Sequence, residues 1–277
     1  MKIVTEISEM LETRKNLERP MGLVPTMGAL HKGHKSLIDR SLRDNKSTVA
    51  SIFVNPSQFS KTEDFNRYPQ SLSLDLNLLE AAGVDIAFIP NNEAMYPQDF
   101  ETWIEVEKTS ALLEGKSRPG HFKGVATIVT KLFNIVRPDN AYFGQKDAQQ
   151  LNIIKKLNKD LHLSISIIEM PTIRDIDGLA ISSRNSYLTD QERLSAGLIF
   201  QALSKAKKMI RELETDTDTI KKEIINILNS SHLISIDYVS ISRCETLEEV
   251  KTIEEPVLIS LAVNVGNTRL IDNIITE

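Results

Sequence analysis

From Gly22 to Glu169 the chain alternates short runs of branched apolar residues with stretches of helical spacing, and few architectures accept that rhythm. Gly22–Pro25, Thr48–Val54, Val84–Ile89, Asn140–Phe143 and Leu163–Glu169 read as strands buried within a sheet. Phe122–Val136 carries Val125, Ile128, Val129, Leu132, Phe133 and Val136 at i, i+3, i+4, i+7, i+8 and i+11, which is one face of a helix. Ser71–Ala82 and Ala148–Asn158 show the same spacing more weakly. Strands that take turns with helices build βαβ units, and hence a parallel sheet with helices on both faces. The expected fold class is α/β, a doubly wound, Rossmann-like parallel sheet.

Beyond Pro171 the texture changes. Asp190–Glu214 predicts a long charged helix, and Thr219–Asn229 a second one carrying Ile220, Ile224, Ile227 and Leu228. Ser235–Ser242, Val257–Val263 and Thr268–Thr276 follow as strands separated by acidic turns, with Glu214–Asp218 a hydrophilic connector. Helices followed by consecutive strands fit a smaller α+β unit with an antiparallel sheet. The units are expected to span residues 1–174 and 175–277, with a hinge near Thr172–Gly178.

Composition removes several classes. A chain of 277 residues can bury one large core or two moderate ones. A single Cys, Cys244, rules out a disulfide framework or a Cys-rich zinc module, and reads as a small core residue. The N-terminal segment interleaves charges and has no apolar signal core, and no apolar run is long enough to span a membrane. A cytoplasmic protein is expected. The formal charge of −5 argues against a general nucleic-acid coat, but not against one small anion in a locally positive pocket.

In doubly wound folds ligands bind beyond the carboxyl ends of the strands. The first such loop holds His31-Lys32-Gly33-His34. It misses the register of a phosphate loop by one residue and lacks a dinucleotide fingerprint, and no third ligand accompanies the two histidines for zinc. What remains is two imidazoles at a helix N-terminus, where the local positive charge favours phosphate, with Gly33 letting a ligand approach the backbone. Asn55-Pro56-Ser57-Gln58 follows the second strand. Gly144-Gln145-Lys146-Asp147 offers a cation for phosphates and a carboxylate for ribose hydroxyls. Ser182-Ser183-Arg184 offers two hydroxyls and a guanidinium as a phosphate clamp. Each turn alone also reads as a solvated polar loop. Their convergence on one sheet edge carries more weight.

Taken together the motifs resemble the pantoate–β-alanine ligases of the HIGH-signature nucleotidyl-transferase superfamily. The matching pieces are Pro25–His34, Phe53–Phe59, Arg118–Val125, Arg137–Asp139, Phe143–Leu151, Pro171–Arg174 and Gly178–Asn185, in order over most of residues 20–190. The resemblance implies condensation of pantoate with β-alanine, driven by ATP with Mg²⁺, through a pantoyl adenylate, with release of pyrophosphate and AMP. It also implies a homodimer, with the first unit holding ATP and pantoate and the second closing as a lid.

By matching position, Met27, Gly28, Ala29, Leu30, His31, Lys32, Gly33 and His34 would wrap the nucleotide, with His34 the proton donor. Lys146, Ser182, Ser183 and Arg184 would hold phosphates, with Asp147 on the ribose and Ile173 near adenine, and Gly144, Gln145 and Ile181 would complete the ATP site. His31, His34, Lys146 and Arg184 would act in catalysis, and Gln58, Gln150 and Asn55 would bind substrate, Gln58 also beside β-alanine. Gln145 stands where the family usually has Glu, and Ile181 where Met is common. The Leu72–Asp75 stretch keeps Asp75 near the presumed metal but is less acidic, so the Mg²⁺ ligands stay open. The rivals are a related enzyme joining a phosphate ester to a nucleotide, and a non-catalytic nucleotide-binding module.

Overall fold

In the computed structural model, which describes residues 1–60 and 64–276, the first half of the chain runs β1 (Lys2–Val4), α1 (Ile7–Thr13), β2 (Met21–Thr26), α2 (Lys32–Asp44), β3 (Ser47–Ile52), α3 (Leu72–Ala82) and β4 (Ile86–Phe88). Three short helices follow, α4 (Asn92–Met95), α5 (Glu107–Ser110) and α6 (Leu113–Ser117). Then come α7 (His121–Val136), β5 (Asn140–Gly144), α8 (Ala148–Asp160) and β6 (Ser166–Met170). Residues 61–63 and 277, which the two expected units include, lie outside the described residues.

The first six strands form one parallel sheet in the order β1-β4-β3-β2-β5-β6. Alternate strand residues feed two cores. Leu23, Val49, Ile86, Ala141 and Phe143 pack with Val125, Val129, Leu132 and Phe133 of α7. Val24, Ala50, Ala87 and Tyr142 pack with Leu37 and Ile38 of α2 and Leu79 of α3. Each such Leu, Ile or Val contributes about 1.5–3 kcal/mol by leaving water. Successive connections run outward from β2 toward β3 on one side and toward β5 on the other. Strand order therefore reverses between β2 and β5, and the crevice at their carboxyl ends is the natural ligand site.

The second half holds α9 (Asp190–Arg211), α10 (Thr217–Leu228), β7 (Ile234–Arg243), β8 (Val257–Val265) and β9 (Thr268–Ile275). The strands form an antiparallel sheet in that order, covered by Ile199 and Leu203 of α9 and Ile220 and Ile224 of α10. Helix α10 begins at Thr217, two residues before its expected start, because Asp216 caps it by accepting from the Thr219 N–H at 2.9 Å. Only Gly266 and Asn267 separate β8 from β9, so that turn is a tight neutral hairpin and not acidic. The segment expected as a hinge is fastened to β9 and α9. Arg174 is bidentate to Asp272 and its guanidinium lies 4.3 Å from the centre of the Phe200 ring, while Arg193 holds Asp175 and Asp177. Cys244 packs, partly buried, beside a small cluster of Ala148 of α8, Leu247 and Leu258 of β8.

Candidate active site

At the β2–β5 crevice the chain leaves β2 through a tight loop in which Ala29 adopts a left-handed backbone, φ +49°. Asp75 on α3, only 3 % exposed, secures it: its two carboxylate oxygens accept from the N–H groups of Ala29 at 2.8 Å and Leu30 at 2.7 Å. Those two N–H groups are therefore spent on the loop and not offered to a nucleotide. Asp75, expected near the metal, thus holds the loop through one bond to each oxygen.

His31 and His34 open α2 as a reciprocal cap. His31 Nδ1 accepts from the Gly33 N–H at 3.1 Å, and His34 Nδ1 accepts from the His31 N–H at 3.3 Å. With Nδ1 of each ring occupied as an acceptor, each neutral ring carries its proton on Nε2. The rings stack with centroids 4.0 Å apart. A Cβ at Gly33 would sit 2.9 Å from His31 Cε1, so the glycine makes room for the neighbouring imidazole rather than for a ligand. Burial, and then the charge of Lys146, push His31 down to about 4; burial, and then His31, push His34 down to about 3. Both are neutral hydrogen-bond donors at pH 7. His34, expected as the proton donor, thus presents an Nε2–H from a neutral ring.

Across the crevice a single turn of 3₁₀-helix, Gln145–Asp147, links β5 to α8. Lys146 Nζ lies 3.4 Å from the Asp147 carboxylate. Burial pushes the Asp147 carboxyl up, but Lys146 and then Arg184 hold it below the usual carboxylate range. The Gln145 amide turns away to Asn273 at 3.0 Å, and so leaves the cleft. Ser182 caps the turn Ser183–Tyr187, and Ser183 Oγ donates to the Ala29 carbonyl at 3.3 Å, joining the clamp loop to the histidine loop. Arg184 is bidentate to Asp64, at 2.8 and 2.9 Å. Ile173 and Ile181 stand side by side, the Ile181 N–H donating to the Ile173 carbonyl at 3.0 Å.

A second group of residues lining the cleft is amide-tipped. Gln58 Oε1 accepts from Asn55 at 3.0 Å, while its Nε2 touches Met27 Sδ. Asn55 is 1 % exposed, with Oδ1 taken by Ser57 and Tyr96 and Nδ2 by Gln58 and the Gly124 carbonyl. It shapes the pocket through Gln58 and has no amide left for a ligand. A Cβ at Gly124 would fall inside van der Waals contact of the Ser57 carbonyl oxygen, so only glycine lets α7 approach this turn. His121 Nδ1 donates to the Gln58 carbonyl at 2.8 Å, and Arg118 donates to His121 Nε2 at 3.1 Å.

One cavity of about 240 Å³ gathers Met27, His31, Gly33, His34, Asn55, Gln58, Gly144, Lys146, Asp147, Gln150, Ile173, Ile181 and Ser182–Arg184. Gly28, Ala29, Leu30, Lys32 and Gln145 lie off its wall. A second cavity of about 580 Å³ shares Lys146, Asp147, Ser182 and Arg184, and opens between the two sheets. Tyr68, Arg118 and His121 also face the first cavity, although the sequence assigns no role to Tyr68 or Arg118. Arg118 and His121 are visible inside the Arg118–Val125 motif; Tyr68 has no local signal. Among the described residues no group of three or more His, Cys, Asp or Glu could hold a metal ion, and no helix is long and apolar enough to cross a membrane.

A crevice at a strand-order switch, walled by phosphate-type donors on one side and amides on the other, defines a class: α/β enzymes that bind a nucleotide beside a small polar substrate. The family model for pantoate-beta-alanine ligase matches residues 1–275. The pantothenate synthetase of Acetivibrio thermocellus is 52% identical over 280 residues, covering 100% of both chains, and that of Pseudothermotoga lettingae is 50% identical over 277 residues, covering 99% of both. The crystal structure of pantothenate synthetase from Thermus thermophilus superposes with a TM-score of 0.94 at 40% identity, covering 99% of each chain. The ligase from Francisella tularensis, complexed with β-γ ATP and β-alanine, gives 0.80 at 35% identity, covering 99% of this chain and 97% of that one. The chain belongs to the pantoate–β-alanine ligase family, and it is an enzyme of the ligase class.

Proposed function

We propose that this chain joins pantoate to β-alanine at the expense of ATP, by way of a pantoyl adenylate. The observation that carries the reading is the pairing of two kinds of group in one cavity. His31 and His34, whose Nδ1 atoms are taken by the cap, line it with Lys146 and the Ser182–Arg184 loop, and Gln58 and Gln150 line it with Val125, Ile128, Val129 and Leu132. A triphosphate needs donors and cations; a branched dihydroxy acid needs amides, which both donate and accept, and an apolar wall. That the Francisella relative is described with a nucleotide and β-alanine supports the same occupants here.

The pantoate carboxylate attacks the α-phosphorus as the bond to pyrophosphate breaks. The β-alanine amine then attacks the acyl carbon, AMP departs and the nitrogen sheds a proton. Charge grows on the phosphate oxygens in the first step, where the fixed imidazole N–H groups, Lys146 and Arg184 stabilise it. Arg184 must exchange Asp64 for phosphate to take part. Asp147 binds the ribose, Ile173 and Ile181 flank the base, and Gln58 serves both acids. Mg²⁺ arriving with ATP would take phosphate oxygens and water as ligands, and would supply charge stabilisation at the phosphates. A cytoplasmic homodimer, with the unit from residue 175 closing the cleft of the unit ending at 174, completes the proposal.

Incubation with ATP, pantoate and β-alanine tests it. AMP whose release requires both acids is expected; pyrophosphate released only with a phosphate ester, or no AMP at all, would sink the reading. His34→Ala should lower turnover by about a hundredfold or more with the circular dichroism spectrum unchanged. An unchanged rate would remove His34 from the mechanism.

A further inference from the structure

Two neighbouring residues of β9, Asp272 and Asn273, are buried and polar at 2 % and 4 % exposure, yet apart from the Asn273 N–H on Asp272 Oδ1 at 2.8 Å their side-chain partners lie outside their own sheet. Asp272 accepts both terminal nitrogens of Arg174, at 2.5 and 2.9 Å. Asn273 spends its whole amide on one turn of the other unit. Its Nδ2 donates to the carbonyls of Gln145 at 3.0 Å and Lys146 at 2.9 Å, and its Oδ1 accepts from Gln145 Nε2 at 3.0 Å. A buried amide satisfied at three points by a single turn fixes that turn in place.

We propose that Asn273 is a positioning residue for the nucleotide, acting through the backbone of Gln145 and Lys146 to aim the Lys146 ammonium and the Asp147 carboxylate into the cleft. The inference rests on the reading of Lys146 and Asp147 as nucleotide contacts. The turn needs outside support because one turn of 3₁₀-helix has poor hydrogen-bond geometry of its own. The support must donate twice and accept once at one point, which an amide does and a carboxylate or hydroxyl does not. Gln145 is matched to this task. A carboxylate there would face Asn273 Oδ1 and force the amide over, releasing the carbonyls that it holds.

The test is Asn273→Asp, which keeps the shape and removes both donors. The Michaelis constant for ATP should rise about tenfold while that for pantoate stays within about twofold, since two hydrogen bonds are lost from one turn. ATP affinity measured without pantoate should weaken by the same factor. If this variant does not fold, Asn273→Ser, which keeps one donor and adds no charge, should show the same split at smaller size. An unchanged constant for ATP, or equal rises for both substrates with a lowered melting temperature, overturns the assignment. Wild-type protein that neither binds ATP nor forms AMP would instead overturn the functional reading beneath it.

Discussion

At the scale of single residues, the histidine pair does two jobs with one set of atoms. Nδ1 of each ring closes the start of α2, which leaves Nε2–H as the only group to present to phosphate. Both imidazoles take up a proton near pH 6.5 when unfolded and near 4 and 3 when folded. The unfolded chain thus binds more protons over that interval. Their contribution to stability is whole above about pH 6.5 and is lost as the pH falls toward 3. Melting temperature should drop from pH 7 to pH 5 more steeply in the wild type than in His34→Asn; equal slopes would contradict the assignment. The His-x-Gly-His pattern was legible in the sequence because a helix start beside a strand end attracts anions. The reason for Gly33 was not, since the group that crowds it is a side chain two positions back, folded onto it only by the cap.

Among the elements, α7 shows how packing sets a substrate end. Its apolar stripe was readable from spacing alone, and the structure extends it by one residue at the start, to His121. Its contact with the Asn55–Gln58 turn was not readable, because no periodicity marks where one backbone touches another. Gly124→Ala drives a methyl against the Ser57 carbonyl oxygen. About 1–3 kcal/mol of stability should be lost, with a larger rise in the Michaelis constant for pantoate than for ATP. Urea unfolding and steady-state kinetics check both; an unperturbed variant would mean that the turn yields freely. Strand β1 escaped the sequence reading because three residues at a sheet edge leave no alternation to detect. The longer strands β7, β8 and β9 were found within one or two residues at most ends, since their apolar runs are bounded by charge or glycine.

For the molecule as a whole, a polar bridge ties the antiparallel sheet to helix α6 of the first half. Arg269 of β9 is bidentate to the buried Glu114 of α6, at 2.7 Å on both nitrogens, and also meets Asp237 of β7. Burial, and then Glu114, push the Tyr238 hydroxyl well above its usual range beside this pair. Glu114→Gln keeps one acceptor and loses the charge, so unfolding free energy should fall by about 1–3 kcal/mol in urea titrations. No loss would mean that water serves Arg269 equally well. Parallel and antiparallel sheets were both legible from the order of elements. The bridge was not, because Glu114 and Arg269 are 155 residues apart and each looks like an ordinary surface charge in its own segment. The same separation governs how the enzyme is made. Lys146 leaves the ribosome 127 residues before Asn273, so the histidine loop and the clamp loop are synthesised long before the strand that braces the nucleotide turn. On the role proposed for Asn273, a growing chain carries Lys146 and Asp147 without their final alignment, and ATP binding waits for β9 to emerge and dock.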